Sequence, residues 1–133
     1  MLDVHIYAVE ARKANVEKLL KAIPDATVHW DTYDGHIRER YNQNCRSAWL
    51  APVPEGVTHR IVLADDAVVC DGFLKIAHKC AERFPDAIWS FCTVRRAEDD
   101  KPYSIVCSKF PMGVGMMIPV EHIQPIFEPW HIS

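Results

Sequence analysis

The segment 59–64, HRIVLA, is an apolar run halted by two adjacent acids, Asp65 and Asp66. A run that does not alternate with polar residues reads as a strand buried on both faces, the central position of a sheet covered by helices. The flanking pattern supplies such helices. Residues 3–9 (DVHIYAV) alternate as a strand. Val16, Leu19, Leu20 and Ile23 then fall on one helical stripe that Pro24 closes. A second strand follows at 26–31, and the turn-like Thr32-Tyr33-Asp34-Gly35 ends it.

Ile37, Tyr41, Cys45, Ala48 and Trp49 share one face of the next helix, and APVPEG is a loop. Beyond the acids, Asp71 is the expected N-cap of a helix striped by Phe73, Ile76, Ala77, Cys80, Ala81 and Phe84. A strand is expected at 87–92, a loop at 97–102 and a short strand near 104–108. The last helix should start at Pro119, with Glu121 in its first turn, and run to about Glu128. This β-α alternation predicts an α/β fold: a three-layer α/β/α domain spanning 1–133 around a mostly parallel sheet.

Composition narrows the function. The 133 residues carry a net charge of −3, which gives no general attraction to nucleic-acid phosphates. The N-terminal MLDVHIYAVEARK resembles neither a signal nor a transit peptide, and no stretch is long and apolar enough to span a bilayer. Cys45, Cys70, Cys80, Cys92 and Cys107 are odd in number, widely spaced and without a CxxC, so each reads as a small buried hydrophobe. A cytoplasmic location is expected. His5, His29, His36, His59, His78, His122 and His131 show no zinc-binding spacing and read as structural or surface groups.

The acid pair is the chemical signal. Ligands of open α/β sheets bind at the carboxyl ends of strands, where Asp65 and Asp66 stand between VLA and AVVC. Two adjacent carboxylates in apolar surroundings repel each other and resist desolvation unless a positive partner joins them. Mg²⁺ or Mn²⁺, which take oxygen ligands and share them with phosphates, answers that need. The plainer alternative is a solvated turn in which one carboxylate caps backbone amides.

HRIVLADDAVVCDGFLKIA resembles the strand, acidic motif and helix of glycosyltransferase-A enzymes, particularly the short phage-type and bacterial members. The resemblance extends over YAVEARKANVEKLL, WDTYDG, NQNCRSAWL and MGVGMMIPVEHIQPIFE. It implies transfer of a sugar from a UDP- or GDP-type donor to an acceptor, assisted by Mn²⁺ or Mg²⁺. Asp66 would be the principal metal ligand, with Asp65 on the ribose or a metal-bound water. Ala8, Val9 and Glu10 would border the base. Asp31, and after it Asp34, would contact base or ribose, and Arg46 would reach the diphosphate. His131 is a candidate further ligand. The motif departs from the family at Ala64, where an acid is usual. That departure, with the shortness of the chain, keeps a second reading open: an inactive nucleotide-binding or interaction module with the same fold.

Other residues have plainer readings beside functional ones. Arg12 opens the first helix, the unfavourable end for a cation unless an anion is near. Trp49, Trp89 and Trp130 read as core or edge aromatics. Gly113-Val114-Gly115 reads as close backbone packing that leaves room for an acceptor, and Glu98-Asp99-Asp100 as a solvated loop.

Overall fold

The structure is a computed structural model that describes residues 1–91 and 115–130. Its strands are β1 (Leu2–Ala8), β2 (Thr27–Trp30), β3 (His59–Ala64), β4 (Trp89–Ser90) and β5 (Gly115–Pro119). The helices are α1 (Lys13–Ala22), α2 (Ile37–Leu50), α3 (Phe73–Arg83) and α4 (Val120–Phe127), and a 3-10 turn (Glu10–Arg12) leads into α1. The strands form one five-stranded sheet in the order β2-β1-β3-β5-β4.

That sheet is mixed. β1 pairs in parallel with both β2 and β3, whereas β5 runs antiparallel to β3 and β4. The expectation of a mostly parallel sheet therefore describes the β2-β1-β3 half alone. The reversal arises because β5 enters from the opposite end, at Gly115. A Cβ added at Gly115 would stand 3.0 Å from Leu63 Cδ2, so β5 passes β3 at a distance suited to glycine. This agrees with the close-packing reading at that one residue. Gly113, Val114, Cys92, Cys107, His131, the 97–102 loop and the strand expected near 104–108 lie outside the described residues.

Alternation along the strands sorts side chains into two sets. Val4, Ile6 and Ala8 of β1, Ile61 and Leu63 of β3 and Met117 of β5 cluster with Val16 and Leu19 of α1 and with Phe73, Ala77 and Ala81 of α3. Tyr7, Val62, Ala64 and Ile118 cluster instead with Ala48 and Trp49 of α2 and Ile123 of α4. All six residues of β3 are buried, as expected for the central strand. Truncating one of its core side chains, such as Ile61→Ala, belongs to the class that costs about 2–5 kcal/mol.

Local expectations fail where an element outruns the sheet. The α2 stripe is buried at Ala48 and Trp49, but Ile37 and Tyr41 are exposed because the helix begins beyond the strand ends. Asp71 does not cap α3. Gly72 holds that position with φ +75°, a left-handed turn that glycine makes without strain, and no side chain caps the helix. Cys70 is exposed rather than buried, since it lies in the loop before that turn, while Cys45 and Cys80 are half-buried. Among the described residues, no helix is long and apolar enough to cross a membrane.

Candidate functional site at the carboxyl ends of three strands

Register decides what meets at the rim. Tyr7 pairs with Ala64 and Ala8 with Trp30, so β1, β2 and β3 end together. The residues that follow them, Val9, Asp31 and Asp65, emerge side by side. Hydrogen bonds knit them: Val9 N donates to Asp65 Oδ2 at 2.9 Å, and Asp31 N donates to Ala8 O at 2.8 Å.

The two acids of the motif part company here. Asp65 turns inward and is buried, with Oδ2 on the Val9 amide and Oδ1 3.5 Å from Arg12 Nε. Asn15 of α1 fixes the turn beneath by donating to the carbonyls of Asp65 and Ala67, and Ala67 N closes it onto Ala64 O at 3.0 Å. Asp66 is exposed and forms no hydrogen bond or ion pair with the described residues. The pair thus divides the roles that the sequence assigned jointly: one carboxylate caps an amide, and the other is open to solvent.

Two phenols lie within electrostatic reach of Asp66. Tyr7 and Tyr41 share a hydrogen bond of 2.7 Å between their hydroxyls, with the rings edge to face. Burial, above all, raises the Tyr7 pKa, and Cys45, Tyr41 and Asp66 add to it. Burial likewise raises Tyr41, against the Tyr7 hydrogen bond and with Cys45, Asp66 and Asp65 adding. Both stay protonated at neutral pH, so one hydroxyl of the pair remains available as a donor. Burial pushes the Cys45 thiol up to about 11, which keeps it an unreactive thiol.

Across β1, Asp31 forms a second acid–guanidinium pair. Its Oδ1 accepts from Tyr33 N at 3.0 Å, and its Oδ2 lies 3.0 Å from Arg40 Nη2. Its side chain is only 6 % exposed, so it positions Arg40 more than it offers itself to a ligand. Asp34 and Glu10 are exposed; Glu10 lies 3.9 Å from Lys13 Nζ. Val9 borders the rim with its amide committed to Asp65, and Ala8 is buried with its carbonyl shared by Asp31 N and Asn44 Nδ2.

Arg46, the residue expected to reach the diphosphate, is bonded to backbone at the end of α4. Its Nε donates to Phe127 O at 3.1 Å and Nη2 to Glu128 O at 3.0 Å, tying α2 to the C-terminus of α4, whose carbonyls lack helical partners. The guanidiniums at the rim are Arg12 and Arg40, 54 % and 39 % exposed. An open apolar depression lies elsewhere, lined by Ile126, Phe127, Pro129 and Trp130.

Sequence reasoning missed Arg40, Asn15, Asn44 and Tyr7. Asn44 left a signal, since it falls on the stripe of Tyr41 and Ala48, and a buried amide must find partners. It finds the carbonyls of Ala8 and His29.

Among the described residues, no three His, Cys, Asp or Glu side chains gather as a metal cluster. The donor set still suits a hard divalent ion in one mode. Mg²⁺ and Mn²⁺ are commonly held by one or two carboxylates, with phosphate oxygens and water completing the shell. Asp66 is free for that role, whereas Asp65 would have to give up Arg12 or Val9. No protein-family model, curated protein or solved structure matches this chain, so the geometry of the rim is what speaks for its function.

Proposed function

We propose that the protein binds a nucleoside diphosphate, as part of a UDP- or GDP-sugar, at the joint carboxyl ends of β1, β2 and β3, and transfers the sugar to an acceptor. The observation that carries this reading is the convergence of Asp31, Val9 and the Asp65–Asp66 pair on one rim, with two half-exposed guanidiniums beside them. On this reading the clusters on either side of the sheet are the outer layers of a three-layer nucleotide-binding fold, and the protein works in the cytoplasm.

The roles follow from what each side chain has left to offer. Arg12 and Arg40 are each oriented by one acid and present their remaining N–H groups to phosphate oxygens, which suit a guanidinium fork. Glu10 and Asp34, exposed on either side, suit ribose hydroxyls. Asp66 holds Mn²⁺ or Mg²⁺, which supplies positive charge where the diphosphate departs. The Tyr7–Tyr41 pair donates the one hydroxyl it does not use internally. In the transfer, an acceptor hydroxyl oxygen bonds to the anomeric carbon as the bond from that carbon to the diphosphate breaks; its electron pair leaves with the diphosphate, and the hydroxyl proton passes to solvent water.

Calorimetric titration with UDP and GDP, with and without Mn²⁺, tests the binding step. Release of nucleoside diphosphate from the corresponding sugar nucleotides tests turnover. Metal-dependent binding lost in Asp66→Asn is the expected result, and binding untouched by that substitution would remove the site from the rim. A second reading, a nucleotide-binding module without transfer, is favoured by Ala64 at the first motif position and by the internal pairing of Asp65. Binding without turnover selects it.

A further inference from the structure

A second polar assembly lies under α2, apart from the rim. Arg60 of β3 is 0 % exposed, and all five of its N–H groups have acceptors. Nε and Nη2 grip the Asp3 carboxylate, the Nη2 bond to Oδ2 being 2.6 Å, and the carbonyls of Trp49, Ala51 and Pro52 take the rest. Asp3 Oδ2 also meets His5 Nε2 at 3.1 Å, and His5 Nδ1 lies 2.7 Å from His29 Nε2. The chain runs Arg60–Asp3–His5–His29 across β3, β1 and β2, and its last link joins the edge strand to its neighbour.

The proton positions in this chain are determined by its fixed end. Asp3 accepts from Arg60 and can only accept from His5, so His5 Nε2 carries a hydrogen. Neutral His5 then presents Nδ1 as an acceptor, and His29 Nε2 must be the donor. One further proton does no harm: on either ring it leaves a donor facing an acceptor across the 2.7 Å contact. Two cannot be held, because both facing nitrogens would then carry hydrogens.

We propose that the His5–His29 pair is a proton-operated latch that holds edge strand β2, and the Asp31–Arg40 part of the rim that follows it, against β1, and that opens when both rings are charged. Among the described residues, no further charged group acts on His29 or Asp3. The charges acting on His29 are those of His5 and Arg60, and those acting on Asp3 are the same two. α2 adds only neutral groups, the Asn44 amide on His29 O and the Trp49 carbonyl on Arg60. Burial, then the charge of His5 and of Arg60, lowers the His29 pKa below its ordinary 6.5, so protonation is resisted in the closed state. Burial raises Asp3, but hydrogen bonds and charge from His5 and Arg60 outweigh it and keep Asp3 ionised below its ordinary 3.8. Asp3 therefore stays ionised while rising acidity drives a proton onto His29. The latch stands whether or not the rim binds a nucleotide.

Amide hydrogen exchange on the full chain, corrected for intrinsic chemistry, reads the latch directly. Between about pH 7.5 and 5, protection of β2 should fall roughly tenfold or more while that of central β3 holds, a local opening within an intact fold. In His29→Gln, which keeps an amide donor for His5 but takes no proton, β2 protection should become flat over that range. Should His29→Gln fail to fold, the wild-type comparison of β2 with β3 still decides. Unchanged β2 protection, equal losses in β2 and β3, or an undiminished fall in His29→Gln overturns the proposal.

Discussion

The molecule builds acid–guanidinium pairs in two regions, and they differ in how much water they see. Under α2, the Arg60 guanidinium is sealed, wholly buried with every donor satisfied, although its Asp3 carboxylate is 16 % exposed. At the rim, Asp65 and Asp31 are nearly buried (13 % and 6 % exposed), but their partners Arg12 and Arg40 remain half in solvent with donors to spare. The same chemistry therefore does opposite jobs. A pair with a sealed guanidinium fixes the register of β1 against β3, where Asp3 and Arg60 are direct cross-strand partners. A half-open pair orients a cation and leaves it able to receive a ligand.

Single substitutions should break this contrast in graded steps. Asp3→Ala strands the Arg60 charge in the core and should destabilise the fold by about 3–5 kcal/mol in urea unfolding, because an uncompensated buried charge has no solvent to fall back on. Asp65→Ala should cost less, about 1–3 kcal/mol, mostly from the orphaned Val9 amide, since Arg12 simply turns to water. A rim pair that proved as costly to break as the sealed one would dissolve the distinction.

Acidity should produce a smaller, sloping effect. His29 has a folded-state pKa below its ordinary 6.5, so the unfolded chain binds the proton more readily. Stability is therefore full above about pH 6.5 and declines as the pH falls through that value, and the unfolding midpoint of His29→Gln should decline less. The Asp3 contribution has the ordinary carboxylate sign: it persists above 3.8 and is lost at lower pH. Asp66→Asn should be the mildest of all for the fold, leaving the thermal midpoint unmoved because no described residue depends on it.

Much of the frame was legible in the sequence because apolar spacing is a local property. The stripe of Val16, Leu19 and Ile23, the buried run of β3 and the strand-then-acids boundary at Asp65 all appear as expected. What the sequence hid was partner choice, which depends on register across strands far apart in the chain. An arginine inside HRIVLA announces that a counter-charge must exist, but only the pairing of β1 with β3 names Asp3. Likewise Arg46 and Arg40 lie on one helix, and nothing local distinguishes the one that fastens α4 from the one that faces Asp31. The reversal of β5 was hidden for the same reason. Periodicity marked no strand at 115–119, and where it does mark one it gives no direction.

Paramagnetic broadening by Mn²⁺ in the presence of UDP or GDP tests the rim most directly, since it reports proximity residue by residue. Amide signals of residues 65–68, and of Val9 beside them, should vanish first in the wild type and persist in Asp66→Ala. Broadening centred on the α4 depression or spread evenly over surface acids, in either protein, would contradict a nucleotide site at the ends of β1, β2 and β3.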